Sequence, residues 1–196
     1  MDAAEALILD QGFSATSVDG IVERAKVTKG TFFYHFKTKA DLAFALVQRY
    51  AALDLDHLEQ NMARAEQLSR DPLQQVLIFV GLFREAAAEL TEPYPGCLFA
   101  SYCYEAQLFD DRTLAVIVGA MTAWRERFGG KIAEIMAARP PRLPVTAEGL
   151  ADMITVIFEG AFIVSKTLND AHVVADQLDH YRNYLELLFA SEPAAA

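Results

Sequence analysis

Val27-Thr28-Lys29-Gly30-Thr31-Phe32-Phe33-Tyr34-His35-Phe36-Lys37-Thr38-Lys39-Ala40-Asp41-Leu42 is the stretch that decides the fold. Thr28 is a hydroxyl residue placed to cap a helix, and Phe32 and Phe36 recur at i, i+4 spacing. The pattern predicts a short helix over residues 29–36 with those two rings buried. Thr38-Lys39-Ala40-Asp41 is a capping box and starts a much longer helix. Upstream, residues 3–11 are helical by propensity, and Gly12 stands where a left-handed C-cap belongs, followed by Phe13. Thr16-Ser17-Val18-Asp19 then opens a second helix with Val18, Ile21, Val22 and Ala25 on one face. Lys26-Val27 makes a tight turn between the two short helices. Short helix, tight turn, short helix with a basic, hydroxyl-rich leading edge is the helix-turn-helix pattern.

The side chains along that edge suit a duplex. Gly30 leaves the front of the helix bare, so backbone can approach a base-pair edge or a phosphate. Thr28 and Thr31 offer hydroxyls for phosphate and methyls for thymine, and Lys29 can reach guanine acceptors or a phosphate. Phe33 and Tyr34 are adjacent, so at least one must leave the core. His35 and Lys39 read as phosphate clamps, and Thr16 and Ser17 place a helix N-terminus where a phosphate is welcome. Singly, each reads better as an ordinary cap or a solvated side chain; the case lies in their joint placement.

Gly12-Phe13, Thr16-Ser17-Val18, Ile21, Ala25 and the whole run from Val27 to Leu42 resemble, gap-free, the DNA-binding signature of the TetR/AcrR family. The resemblance covers about the first 45 residues. It implies an all-α protein of about nine helices, with an N-terminal three-helix helix-turn-helix domain (1–45) and a helical ligand-binding and dimerisation domain (46–192). It further implies a homodimer that reads palindromic, double-stranded operator DNA through two recognition helices about 34–36 Å apart. On the same resemblance, the function is that of a repressor released by a small-molecule effector. Two departures stand out. Lys26 occupies a turn position where the family usually has Gly, so it must adopt either a left-handed backbone, at a cost of roughly 1–2 kcal/mol, or an altered turn. Family members also carry another turn or more of helix ahead of the position of Ala3, so the chain is expected to open partway into the first helix. A helical small-molecule-binding protein that has lost DNA binding through this shortened start is the rival reading.

Charge is distributed in keeping with a duplex contact. The net charge is −10, yet residues 1–50 are neutral, and Arg24, Lys26, Lys29, Lys37 and Lys39 fall in a stretch, residues 24–40, with no acid. A cationic strip on an otherwise acidic chain favours a local contact over indiscriminate binding to polyanions. No uncharged run exceeds twelve residues, short of the roughly 20 needed to span a bilayer. The start of the chain, with Asp2, Glu5 and Asp10, does not read as a signal peptide. A cytoplasmic location without membrane contact is expected. Two cysteines, Cys97 and Cys103, are too few for a disulfide framework or a four-ligand metal site. His35, His57, His172 and His180 lack metal-ligand spacing, and no nucleophile–base pair or phosphate loop occurs. No catalysis, metal or cofactor is expected.

Beyond residue 45, helices are predicted over 39–68, 73–90, 97–109, 112–138, 147–169 and 171–189, with a frayed tail at 193–196. Hydrophobic residues make up 53% of the chain, apolar surface enough to bury some in a partner. Val174, Leu178, Tyr181, Leu185 and Leu188 form a 4-3-4-3 stripe, and Ile154, Ile157 and Ala161 a parallel one with Gly160 allowing close approach. Packing within one chain alone could explain either stripe; on the family resemblance these are the candidate dimer residues. Phe83, Phe99, Tyr102, Cys103, Trp124, Phe128, Phe158, Glu159 and Phe162 are the candidate lining of a site for a small, largely apolar effector, although most such rings are ordinary core; Glu159 is either a solvated or Arg-paired acid or the polar anchor of that site.

Overall fold

The computed structural model describes residues 1–190, and among these the chain is all α with no strand. In order come α1 (Asp2–Gln11), α2 (Val18–Ala25), α3 (Lys29–His35), α4 (Lys39–Leu68), α5 (Pro72–Ala88) and α6 (Leu98–Tyr104). A single 3-10 turn (Ala106–Leu108) leads to α7 (Asp111–Ala138), α8 (Ala147–Leu168) and α9 (Val173–Leu188). Both the expected end of the body at 192 and the expected frayed tail lie outside the described residues.

Local chemistry accounts for most of the helix ends. The Ser17 and Thr28 hydroxyls accept the Gly20 and Thr31 amides at 3.0 and 3.1 Å, starting α2 and α3. Thr38 and Asp41 cap reciprocally: the Thr38 amide donates to the Asp41 carboxylate at 3.0 Å, and the Asp41 amide to the Thr38 hydroxyl at 3.1 Å. Asp71 caps α5 ahead of Pro72, and Thr146 caps α8. Each such cap stabilises its helix by about 1 kcal/mol. Lys26 takes the left-handed conformation (φ 55°, ψ 42°), closing α2 and turning the chain into α3.

The described residues form two compact units, Met1–Leu55 with Pro95–Met121, and Asp56–Tyr94 with the chain from Thr122 onward. This division differs from the expected boundary at 45/46, because α6 and the start of α7 share a core with the first three helices. In that first unit Phe13 packs on Phe109 (4.7 Å between centroids) and edge-on to Tyr102 (6.0 Å). Ile8, Ile21, Phe32, Leu42, Leu46 and Leu98 are buried around them. The Tyr102 hydroxyl donates to the Ala43 carbonyl at 3.1 Å, and burial pushes its phenol well up, so it stays neutral.

The second unit packs α9 against α5 and α8, around Val76, Phe79, Val80, Phe128, Ile132 and Leu150. The Tyr181 hydroxyl donates to the Leu150 carbonyl at 2.7 Å, tying α9 to α8. The loop before α8 is fastened to the end of α9, with the Arg142 amide donating to the Leu188 carbonyl (2.9 Å) and its guanidinium to the Ala190 carbonyl (3.1 Å).

Candidate nucleic-acid interface

From Thr28 to His35 only Phe32 is buried, and every other residue of that run is exposed. Phe32 packs against Phe36 (5.8 Å) and anchors α3 to the head; the register then turns Lys29, Gly30, Thr31, Phe33, Tyr34 and His35 outward. Phe33 is 46% and Tyr34 79% exposed, an arrangement that wastes apolar surface unless something covers it. Tyr34 stands edge-on to His35 (5.0 Å). A Cβ at Gly30 would meet only the Thr28 hydroxyl oxygen, at 3.6 Å, so the fold leaves room for a side chain there.

Electrostatics refines which cations are available. The Lys29 ammonium lies 2.6 Å from the Asp19 carboxylate, both side chains well exposed. Such an exposed pair is worth at most about 1 kcal/mol, so Lys29 can exchange Asp19 for a phosphate. Arg24, Lys26 and Lys37 are exposed around the same helices. Ser17 is exposed at the start of α2, its hydroxyl proton free to donate beyond the cap.

Two expected duplex contacts are corrected. Thr16 is fully buried, and its hydroxyl donates to the Gly12 carbonyl at 2.8 Å, so it braces the α1–α2 turn. Lys39 donates to the Phe13 carbonyl and sits 4.0 Å over the Phe13 ring. Burial pulls its pKa below the ordinary lysine value, against the pull of Glu105. It faces into the head.

The dimer stripe is corrected as well. Ile154, Ala161, Val174, Leu178, Tyr181, Leu185 and Leu188 are buried within one chain, and Ile157 is half-buried. They are the seam that α9 makes with its own α5 and α8. The apolar face left open on α8 is instead Val156, Gly160, Ile163, Val164 and Leu168, at i, i+4, i+7, i+8 and i+12, and α9 adds the exposed Leu187. Nothing lies within 4 Å of a Cβ built at Gly160. The expected stripe touched this face at Gly160 but not at Val156, Ile163 or Leu168, because α8 is apolar nearly all round and periodicity alone does not rank two stripes.

The expected effector lining divides between the units. Phe83, Trp124, Phe128, Phe158 and Phe162 come together in the second unit as one aromatic cluster with Phe79 and Tyr94. Phe83 lies 5.8 Å from Trp124 and 5.5 Å from Phe158, Phe79 lies 5.2 Å from Phe128, and Tyr94 stacks on Phe162 at 4.7 Å. Glu159 is half-buried on the same helix. Phe99, Tyr102 and Cys103 belong to the first unit, where Phe99 packs on Tyr50 (4.9 Å), Tyr102 stacks on Phe109 (4.2 Å) and Cys103 is exposed.

The family profile described as bacterial regulatory proteins, tetR family, matches residues 1–46. Transcriptional regulator AcuR of Cereibacter sphaeroides is 26% identical over 81% of this chain and 71% of its own length. The HTH-type transcriptional repressor DhaR of a Mycobacterium species (strain GP1) is 22% identical over 82% of this chain and 77% of its own. Among solved structures, a TetR-family transcriptional regulator from Agrobacterium tumefaciens superposes with a TM-score of 0.75 over 96% of this chain and 95% of that one, at 22% identity.

Proposed function

The chain is a TetR-family transcriptional regulator with a helix-turn-helix DNA-binding domain, and from that premise we propose that it is a homodimeric repressor of palindromic operator DNA, released by a small, largely apolar effector. Its recognition surface is α3 with its leading turn: Thr28, Lys29, Gly30, Thr31, Phe33, Tyr34 and His35, joined by Ser17 at the start of α2. The observation that carries this reading is the outward display of that whole run, with a single ring holding the helix from behind. Phe33 and Tyr34 supply apolar contact to sugar or thymine methyl, and Lys29 a phosphate or guanine contact.

The effector is held by the aromatic cluster of the second unit, with Glu159 as its polar anchor. Release requires only that the effector favour one of two conformations, since a ligand shifts an equilibrium by its differential affinity alone. Helices α4 and α7 each have residues in both units, and α4, which begins directly after the recognition helix, is the one proposed to carry that preference. The relatives include both a named repressor, DhaR, and a named activator, FasR, so the direction of regulation rests on the proposal itself.

The test is selection of bound fragments from a random duplex library, followed by low-salt shift assays with the selected duplex. Tyr34→Ala and Lys29→Ala are expected to weaken binding about tenfold or more, in line with 1–3 kcal/mol per good contact, with the dimer intact. Undiminished binding by both variants would sink the site assignment. Failure of the unaltered chain to select any duplex would favour the purely ligand-binding reading. A reporter whose transcription rises with the regulator present would overturn repression.

A further inference from the structure

The turn between α1 and α2 is gripped from outside by side chains of two other elements of the first unit. Glu105, directly after α6, accepts the Phe13 amide on Oε1 at 2.7 Å and the Ser14 amide on Oε2 at 3.0 Å. Lys39, at the start of α4, donates to the Phe13 carbonyl, and its ammonium lies over the Phe13 ring. A Cβ at Gly12, whose φ is +86°, would stand 3.0 Å from Glu105 Oε1, so the turn leaves space for the carboxylate at the one position that needs glycine twice over. Hydrogen bonds to an ionised carboxylate are about twice as strong as neutral ones, and two amides received by one carboxylate fix orientation as well as distance.

We propose that Glu105 is a positioning residue of the reading head: its carboxylate fixes the α1–α2 turn, and with it α2 and α3, to α6 at one tilt. This rests on the duplex-binding function proposed above and assigns its geometry to a residue 70 positions beyond the recognition helix. Glu105 lies outside the buried set of Ile8, Ile21, Val22, Phe32 and Leu42, so replacing it leaves that apolar core in place. What its loss removes is the common tilt that two heads need to meet successive major grooves of one palindrome. Non-specific attachment through phosphates makes no such demand.

The experiment uses the full chain, with Glu105→Ala and Glu105→Gln as variants. It measures thermal melting, hydrogen exchange at the Phe13 and Ser14 amides, and affinity both for the duplex selected by the unaltered chain and for a scrambled duplex of equal length. For Glu105→Ala we expect at least tenfold faster exchange at those amides and at least tenfold weaker binding of the selected duplex. Affinity for the scrambled duplex should stay within twofold. Glu105→Gln, which keeps one acceptor, should fall between, and it carries the test alone if the alanine variant does not fold. Fast exchange with unchanged selected-duplex affinity would overturn the proposal, as would an equal loss on both duplexes in step with a lower melting temperature. If the unaltered chain selects no duplex, the duplex-binding function itself fails, and the positioning role falls with it.

Discussion

Gly30 separates what the fold needs from what a partner needs. Its would-be Cβ has only the Thr28 hydroxyl nearby, at 3.6 Å, and it lies within α3, where glycine costs roughly 0.5–1 kcal/mol relative to alanine. Gly30→Ala should therefore leave the midpoint of urea unfolding unchanged or raise it. On the proposed surface the added methyl meets a base-pair edge or phosphate, and binding of the selected duplex should fall about tenfold, the order of one lost contact. A variant that binds as well as the original would place the duplex elsewhere. Asp19 supplies a test of opposite sign. It holds Lys29 at 2.6 Å and sets a negative charge beside the proposed phosphate track, so Asp19→Asn should tighten binding about threefold at low salt, with the gain fading as salt rises. Much of this surface was legible beforehand because its signals are local: a hydroxyl cap, a glycine, a pair of rings at i, i+4. Of the two conformations the sequence left open at Lys26, the chain takes the left-handed one. The inward turns of Thr16 and Lys39 were not, because their partners are backbone carbonyls in a turn whose path only the folded head defines.

Helix starts were readable where a capping hydroxyl marks them, as Thr28 and Thr38 do at the starts of α3 and α4. The stretch expected as one helix over 97–109 breaks at Glu105, which takes φ −118° and ψ 30° and sends its carboxylate to amides 91 and 92 residues away. No local pattern announces such a demand. Between α4 and α7 the second unit carries a charged clasp: Glu66 accepts from Arg127 and from Lys131, each at 3.0 Å, and Lys131, 7% exposed, also reaches Glu134 at 2.9 Å. Replacing an ion pair by an apolar side chain of similar volume is often near neutral, whereas removing one partner strands the other. Lys131→Met leaves the partly solvated Glu66 its Arg127 partner and should cost less than about 1 kcal/mol, whereas Glu66→Ala leaves the buried Lys131 with Glu134 alone and should cost about 1–3 kcal/mol. Burial works to raise the Glu66 pKa, but the Lys131 and Arg127 hydrogen bonds outweigh it and hold the carboxyl below its ordinary value. A depressed carboxylate contributes fully above its unfolded pKa of about 4.5 and loses that contribution as pH falls through the native value. The stability gap between the original chain and Glu66→Gln should therefore be present at neutral pH and close below about 4.5. A gap that widens on acidification would contradict the assigned ion pairs.

For the whole molecule, the proposed dimer poses the question of which apolar surface a second copy would cover. The 4-3-4-3 stripe of α9 is already spent within its own chain: Leu178 and Leu185 are fully buried. Truncating Leu185 to alanine should accordingly cost about 2–5 kcal/mol in unfolding, a core effect that leaves any residual folded protein with its original stoichiometry. The open stripe behaves oppositely. Val156 and Leu168 are 67% and 66% exposed, Ile163 lies between them, and Gly160 leaves the helix surface flat at its middle. In the proposed dimer this face meets its symmetry mate, because a two-fold interface must be self-complementary and an uncharged, shallow helix face satisfies that condition. A carboxylate at Ile163 would then be buried against its own copy, two unpaired like charges near one axis, while in a single chain it would simply face water. Ile163→Glu should therefore sediment as a monomer at micromolar concentration with its helical content intact. Binding of the full palindrome should weaken by about a hundredfold or more once the second half-site no longer arrives tethered to the first. A half-site duplex should bind the variant and the original alike. If Ile163→Glu remains a dimer that binds the palindrome undiminished, the chains associate through another face, and the open stripe of α8 has a different occupant.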